Sequence, residues 1–192
     1  MSLTDAQIDR YSRQIIVPHI GGRGQERLLA ARILLVGDAR DIEAPLAYLI
    51  GAGVGTICLK LSGDRTVFTE KSELNADVSV TIADESKGRI DLALIIIGSD
   101  SARKAADEIA SNRDVHAAVI GRLDAPGKIT IIPDAHVQRT VDAEFGTRAE
   151  AAGFISMLAT TEAFKLIAGY AENPTRTTIE FDGYETRVRV NS

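Results

Sequence analysis

Apolar residues in this chain follow two rhythms. The first is a short continuous run bounded by turn residues, the pattern of a strand buried on both faces. Ile33 to Val36, Thr56 to Leu61, Asp91 to Ile97 ("DLALIII") and Val115 to Ile120 are of this kind. Asp77 to Ile82 ("DVSVTI") alternates instead, which predicts a strand with one solvated face. Lys128 to Ile132 follows the turn signal "DAPG" and predicts another strand. "TTIEF", a turn at Asp182-Gly183 and "ETRVRV" read as a closing hairpin.

The second rhythm is helical. Ile8, Tyr11 and Ile15 stripe a helix from Asp5 to about Val17, with Thr4 as N-cap and Gln7 completing a capping box. Arg10 and Arg13 lie on a neighbouring face, and Pro18 and Gly21-Gly22 end the helix. Further helices are predicted over Gly24 to Ala30, over Ile42 to Gly51, and from the Gly98-Ser99-Asp100 turn to Asn112, with Ser99 or Asp100 as cap. Arg148 to Ala168 is the longest. Its apolar residues, among them Phe154, Ile155, Leu158, Phe164 and Ile167, cover most of the circumference, so it is buried in the core or at a subunit interface. Ser62 to Asn75 is polar, and Pro133 to Thr147 carries no secondary-structure signal.

Strand, turn, helix and strand across Ala31 to Leu61 form the first half of a dinucleotide-binding fold. The expectation is an α/β, Rossmann-like three-layer fold: a mixed sheet with a parallel core and a C-terminal antiparallel hairpin. With no repeat and no linker, one domain is expected. Residues 1–30 supply N-terminal helices, 31–121 the Rossmann-like half, and 122–192 antiparallel strands and the long buried helix.

The turn after the first strand is where such folds hold phosphate, on backbone amides and a helix N-terminus. Here it reads "GDARDIE". Gly37 is its only glycine, and Asp38, Asp41 and Glu43 put negative charge where phosphate would sit.

Composition narrows the function classes. A net charge of -5 over 192 residues argues against a nucleic-acid binder, which needs a basic surface. No apolar run approaches the roughly 20 residues of a membrane span. The opening "MSLTDAQIDR" lacks a secretion pattern, so a cytoplasmic location is expected. The single cysteine, Cys58, excludes an internal disulfide and a Cys-x-x-Cys zinc clip; it reads as a small buried strand residue. His19, His116 and His136 lack ligand spacing, so no zinc site is expected.

"LTDAQIDRYSRQIIVPHIGGRGQERLLAARILLVG" resembles the opening of the ThiF, MoeB and ubiquitin-activating-enzyme family, "RYSRQI" being its most specific piece. "AYLIGAGVGTICL", "DLALIIIGSDSARKAADEIA", "GKITIIPD" and "GFISMLATTEAFKLIAG" extend the resemblance over nearly the whole chain. It implies binding of ATP and magnesium, and adenylation of the C-terminal glycine of a small ubiquitin-like or sulfur-carrier protein. By the same resemblance Arg13 matches an arginine that reaches the phosphates across a dimer interface. Asp100 matches an aspartate serving magnesium and nucleotide, with Ser101 in place of the family's asparagine. Gly37 matches the first glycine of Gly-x-Gly-Gly-x-Gly, whose other places hold Ala39, Arg40 and Ile42. Leu61 and Ser62 stand near the family's ribose-binding aspartate, and Asp64 is the nearby acid. The family's Asn-x-x-Arg-Gln segment, its following lysine, and its acceptor and zinc cysteines have no match.

The candidate site is therefore Arg13 and Asp100 for catalysis, Gly37, Arg40, Asp64 and Asp100 for the nucleotide, and Asp100 for magnesium. Against these stand simpler readings: a solvated arginine, a helix cap and a bare turn. Three functions follow. One is a degenerate family member, a dimeric scaffold or the inactive half of a heterodimer with an intact member, lending Arg13 to its partner. Another is an active adenylyltransferase in which Arg40 supplies a compensating cation. The third is a Rossmann module for a ligand other than ATP.

Overall fold

A computed structural model of the protein describes residues 2–62, 72–82, 89–112, 115–133, 147, 149–170, 176–182 and 184–190. Among the described residues, eight strands form one sheet in the order β3-β2-β1-β4-β5-β6-β7-β8. The strands are β1 (Arg32–Asp38), β2 (Thr56–Ser62), β3 (Ser79–Ile82), β4 (Ile90–Ile97), β5 (Val115–Arg122), β6 (Gly127–Ile132), β7 (Thr177–Phe181) and β8 (Thr186–Val190). The first five pair in parallel and the last three are antiparallel. The apolar runs at β1, β4 and β5 hold the centre, where both faces are covered and side chains of either parity are buried.

Among the described residues five α-helices join them: α1 (Asp5–Ile15), α2 (Gly21–Ala30), α3 (Ala39–Ala52), α4 (Asp100–Asn112) and α5 (Ala152–Ala168). Ile33, Leu35, Leu94, Ile96 and Val119 face α3 and α5, whose Leu46, Leu49 and Ala159 complete the larger core. Leu34, Val36, Ile95 and Ile120 face the other way and meet Ala105 and Ala106 of α4. Helices lie on both faces of a mixed sheet, the three-layer arrangement expected from the sequence. Cys58 is buried in β2.

Several boundaries differ from the sequence reading. α1 stops at Ile15, while α2 begins at Gly21, three residues earlier than its pattern suggests. β3 starts at Ser79, because Asp77 and Val78 belong to a turn tied by hydrogen bonds to Asn75. α3 starts at Ala39 instead of Ile42, and α5 at Ala152 instead of Arg148. Arg148, most of the Pro133 to Thr147 stretch, and Gly183 of the closing turn lie outside the described residues. In that turn Asp182 accepts bonds from the Tyr184 and Glu185 amides, which hold its carboxyl below the usual range.

The Thr4–Gln7 capping box forms as expected. What anchors α1 is Tyr11, only 1% exposed. Its hydroxyl donates to Asp77 Oδ2 at 3.0 Å and accepts from Asn75 Nδ2 at 2.9 Å, while Arg10 donates to both Asn75 and Asp77. Burial pushes the Tyr11 hydroxyl pKa up, so it remains a donor. The ring fills the space left by Gly53, the left-handed C-cap of α3, where a Cβ would fall 2.6 Å from it. Tyr11→Phe leaves the Asp77 carboxylate one donor short. It is expected to lower stability by about 1–2 kcal/mol in chemical denaturation. The rest of the α1 stripe is not core: Ile8 is exposed, as are Ile16 and Val17 just beyond the helix.

β8 is an edge strand. Arg187 and Arg189 alternate along it with Val188 and Val190, every residue is exposed, and no described strand pairs beyond it.

Candidate functional site

Sheet order reverses between β1 and β4, and the crevice outside their carboxyl ends is the place where open α/β sheets bind ligands. α3 leaves from β1 there and α4 from β4. Gly37 is required by packing: a Cβ would lie 2.7 Å from Ile42 Cγ2 and 2.7 Å from the Ile96 carbonyl oxygen.

Beyond Gly37 there is no loop. β1 continues through Asp38, which pairs with Ser62 of β2, and α3 begins at the next residue. Asp38 is the N-cap of α3, yet its side chain makes no cap bond. Its Oδ1 accepts from Ser62 Oγ, and its Oδ2 is buried without a hydrogen-bond partner among the described residues. In the first turn the Asp41 side chain is 2% exposed, with Arg40 Nε 3.7 Å from Oδ1. Ile42 is fully buried in the core. The helix N-terminus that would face a phosphate thus already holds two fixed carboxylates. Arg40, the expected compensating cation, is mostly exposed and leans on Asp41.

On the β4 side, Ser99 is the cap of α4: its Oγ accepts from the Ala102 amide at 3.2 Å. Asp100, the other candidate cap, stands in the first turn with a 70% exposed side chain, 3.5 Å from Arg103 Nε. No group of three or more His, Cys, Asp or Glu side chains that could hold a metal ion occurs among the described residues. Arg13 is exposed in the last turn of α1 and forms no ion pair or hydrogen bond with Gly37, Arg40 or Asp100. The structure brings Gly37, Arg40 and Asp100 to one end of the sheet and leaves Arg13 apart. Asp64 lies outside the described residues.

Two features of this end were missed. Asp38 and Ser62 are joined across β1 and β2, and the 24 residues separating them leave no local signal. Arg122 and Asp124, at the exit of β5, form a two-pronged ion pair with contacts of 3.2 and 2.5 Å. An Arg-x-Asp spacing after a strand is too common to have marked it.

Relatives support this reading of the fold. The adenylyltransferase and sulfurtransferase uba4 of Aspergillus niger is 35% identical over 148 residues, covering 70% of this chain and 29% of that protein. The SAMP-activating enzyme E1 of Haloferax volcanii is 33% identical over 130 residues, covering 56% and 48%. The chain belongs to the ThiF/MoeB/E1-like family. It spans less than half the length of either of these relatives. No family model matches it. The family's fold recurs in solved structures: PaaA superimposes with a TM-score of 0.66 at 17% identity, over 99% of this chain and 74% of PaaA. Escherichia coli MccB with ATP gives 0.63 at 15% identity, over 95% and 71%. No helix among the described residues is long and apolar enough to cross a membrane.

Proposed function

We propose that this chain is a member of the family that does not itself adenylate. It acts as the supporting half of a dimer, with an intact member or a second copy, in activating a ubiquitin-like or sulfur-carrier protein. One observation carries the reading: β1 passes into α3 without a loop, and the carboxylates of Asp38 and Asp41 occupy the start of that helix. A triphosphate brings several negative charges and needs amides, cations or a metal around it. These residues do not fit it, so no step is assigned to ATP or magnesium in this chain. The exposed apolar residues at and just beyond α1, Ile8, Ile16 and Val17, suit a protein interface, and Arg13 lies three residues before Ile16. That placement suits an arginine offered to a neighbour.

The competing reading is an active adenylyltransferase. It draws on Asp100, kept at the first turn of α4, and on Arg40 beside the crevice. Calorimetric titration with Mg-ATP separates the two. The expected result is no saturable binding up to about 1 mM, a level at which even weak sites fill. The chain is then added to an intact family member and its carrier protein, and pyrophosphate exchange is followed. Wild type is expected to stimulate exchange, and Arg13→Ala to lose at least about tenfold of that stimulation. Micromolar ATP affinity, or exchange by this chain alone, establishes the competing reading; equal stimulation by both forms removes Arg13 from the proposal.

A further inference from the structure

A cleft of about 500 Å³ opens at the opposite end of the sheet, where β4 and β5 begin, between α2 and α5. It is remote from the β1–β4 crevice and belongs to none of the chemistry considered above. Leu92, Ala117, Leu166 and Ile167 give it an apolar floor. Two opposite charges stand on its walls, and each is held by a backbone contact. Arg27 Nη1 donates to the Ala168 carbonyl oxygen at 3.3 Å. Its guanidinium lies against Gly169, where any Cβ would overlap it. Asp91 Oδ2 accepts from the Arg32 amide at 2.9 Å, and Arg89 Nε lies 3.8 Å from Oδ1. The β4–β5 rungs Ile90–Val115 and Leu92–Ala117 flank Asp91 and His116, which stand side by side at the mouth.

An apolar pocket of a few hundred cubic ångströms with a few convergent polar groups is the usual form of a small-molecule site. The charges select the ligand. Arg27 offers guanidinium N–H groups to a carboxylate, with its position already fixed. Asp91 offers an acceptor oxygen to a cation. Together they match a zwitterion, and the floor matches an aliphatic side chain.

We propose that this cleft binds a small apolar zwitterion, a free amino acid or a dipeptide, with its carboxylate on Arg27, its ammonium toward Asp91 and an aliphatic side chain on Leu92 and Leu166. The probes are leucine, leucyl-leucine, leucinamide and N-acetyl-leucine, titrated into the full chain labelled with 15N. Leucine or leucyl-leucine is expected to give saturable shifts at the Leu92 and Ala117 amides, and the stronger of the two identifies the source. Leucinamide lacks the carboxylate and N-acetyl-leucine lacks the ammonium, and each is expected to bind at least about tenfold more weakly, the loss of one charge-assisted bond. Asp91→Asn keeps an oxygen for the Arg32 amide and is expected to weaken leucine by a similar factor while leaving N-acetyl-leucine unchanged. No saturable binding by leucine or the dipeptide overturns the proposal, as does N-acetyl-leucine binding as tightly as leucine. If Asp91→Asn does not fold, the wild-type comparison of the four probes decides alone.

Discussion

Replacing Ile42 with glycine is expected to remove about 4 kcal/mol of stability, measured by urea denaturation. The sequence starts a helix at Ile42, and the family resemblance matches this position to the last glycine of Gly-x-Gly-Gly-x-Gly. The structure places it in the first turn of α3, fully buried and packed in the larger core beside Gly37. Its loss empties a whole branched side chain, which in cores costs about 2–5 kcal/mol, and glycine adds about 1 kcal/mol of helix cost. Its consequence is functional. Restoring the family's glycines at positions 39, 40 and 42 together is expected to weaken the fold without conferring Mg-ATP binding, because Asp38 and Asp41 remain at the helix start. A triple variant that stays within about 1 kcal/mol of wild type and binds ATP shows that the turn tolerates a cradle, and the non-adenylating reading fails.

Gly55→Ala is expected to be as damaging, by about 3 kcal/mol or more. Gly55 leads into β2, and a Cβ there would fall 1.9 Å from the Leu29 carbonyl oxygen and 2.8 Å from its carbon. The obstacle is backbone, and no side-chain rotation relieves it. The residue also stitches three elements: its amide donates to Leu28 at the end of α2, and its carbonyl accepts from Ser79 at the start of β3. Moving Gly55 to make room therefore breaks contacts on both sides. Gly51, inside α3 with nothing within 4 Å of a Cβ, is the control. Gly51→Ala is expected to stabilise by about 0.5–1 kcal/mol, the ordinary helix preference. Thermal unfolding of the two variants side by side measures the contrast, and a mild effect at Gly55 shows that the α2–β2 junction can yield.

The sheet was legible because its central strands are covered on both sides. Burial of either parity requires runs such as "DLALIII", and little else in a soluble protein produces them. The capping box was legible because its partners lie three residues apart. The start of α3 was not. "GDARD" is polar and reads as a loop, yet Asp41 is buried and Asp38 is held by Ser62, a residue of another strand. Distant contacts likewise set the start of β3, through Asn75 and Tyr11. The acidity of the crevice was readable directly; that Ser99, and not Asp100, caps α4 required the geometry. The cleft beneath β4 and β5 had no signature, since Arg27, Asp91, His116 and Leu166 meet only after folding.

The outermost strand bears on how copies of this molecule meet. A bare strand border invites a second strand to add to it. Two copies aligning edge to edge at β8 would bring Arg187 and Arg189 of each against those of the other, with Glu180 and Glu185 offsetting them only in part. Salt in the medium weakens that repulsion over about 10 Å at ordinary ionic strength. Sideways growth into sheets that span several molecules is therefore discouraged in dilute buffer and favoured as salt is raised.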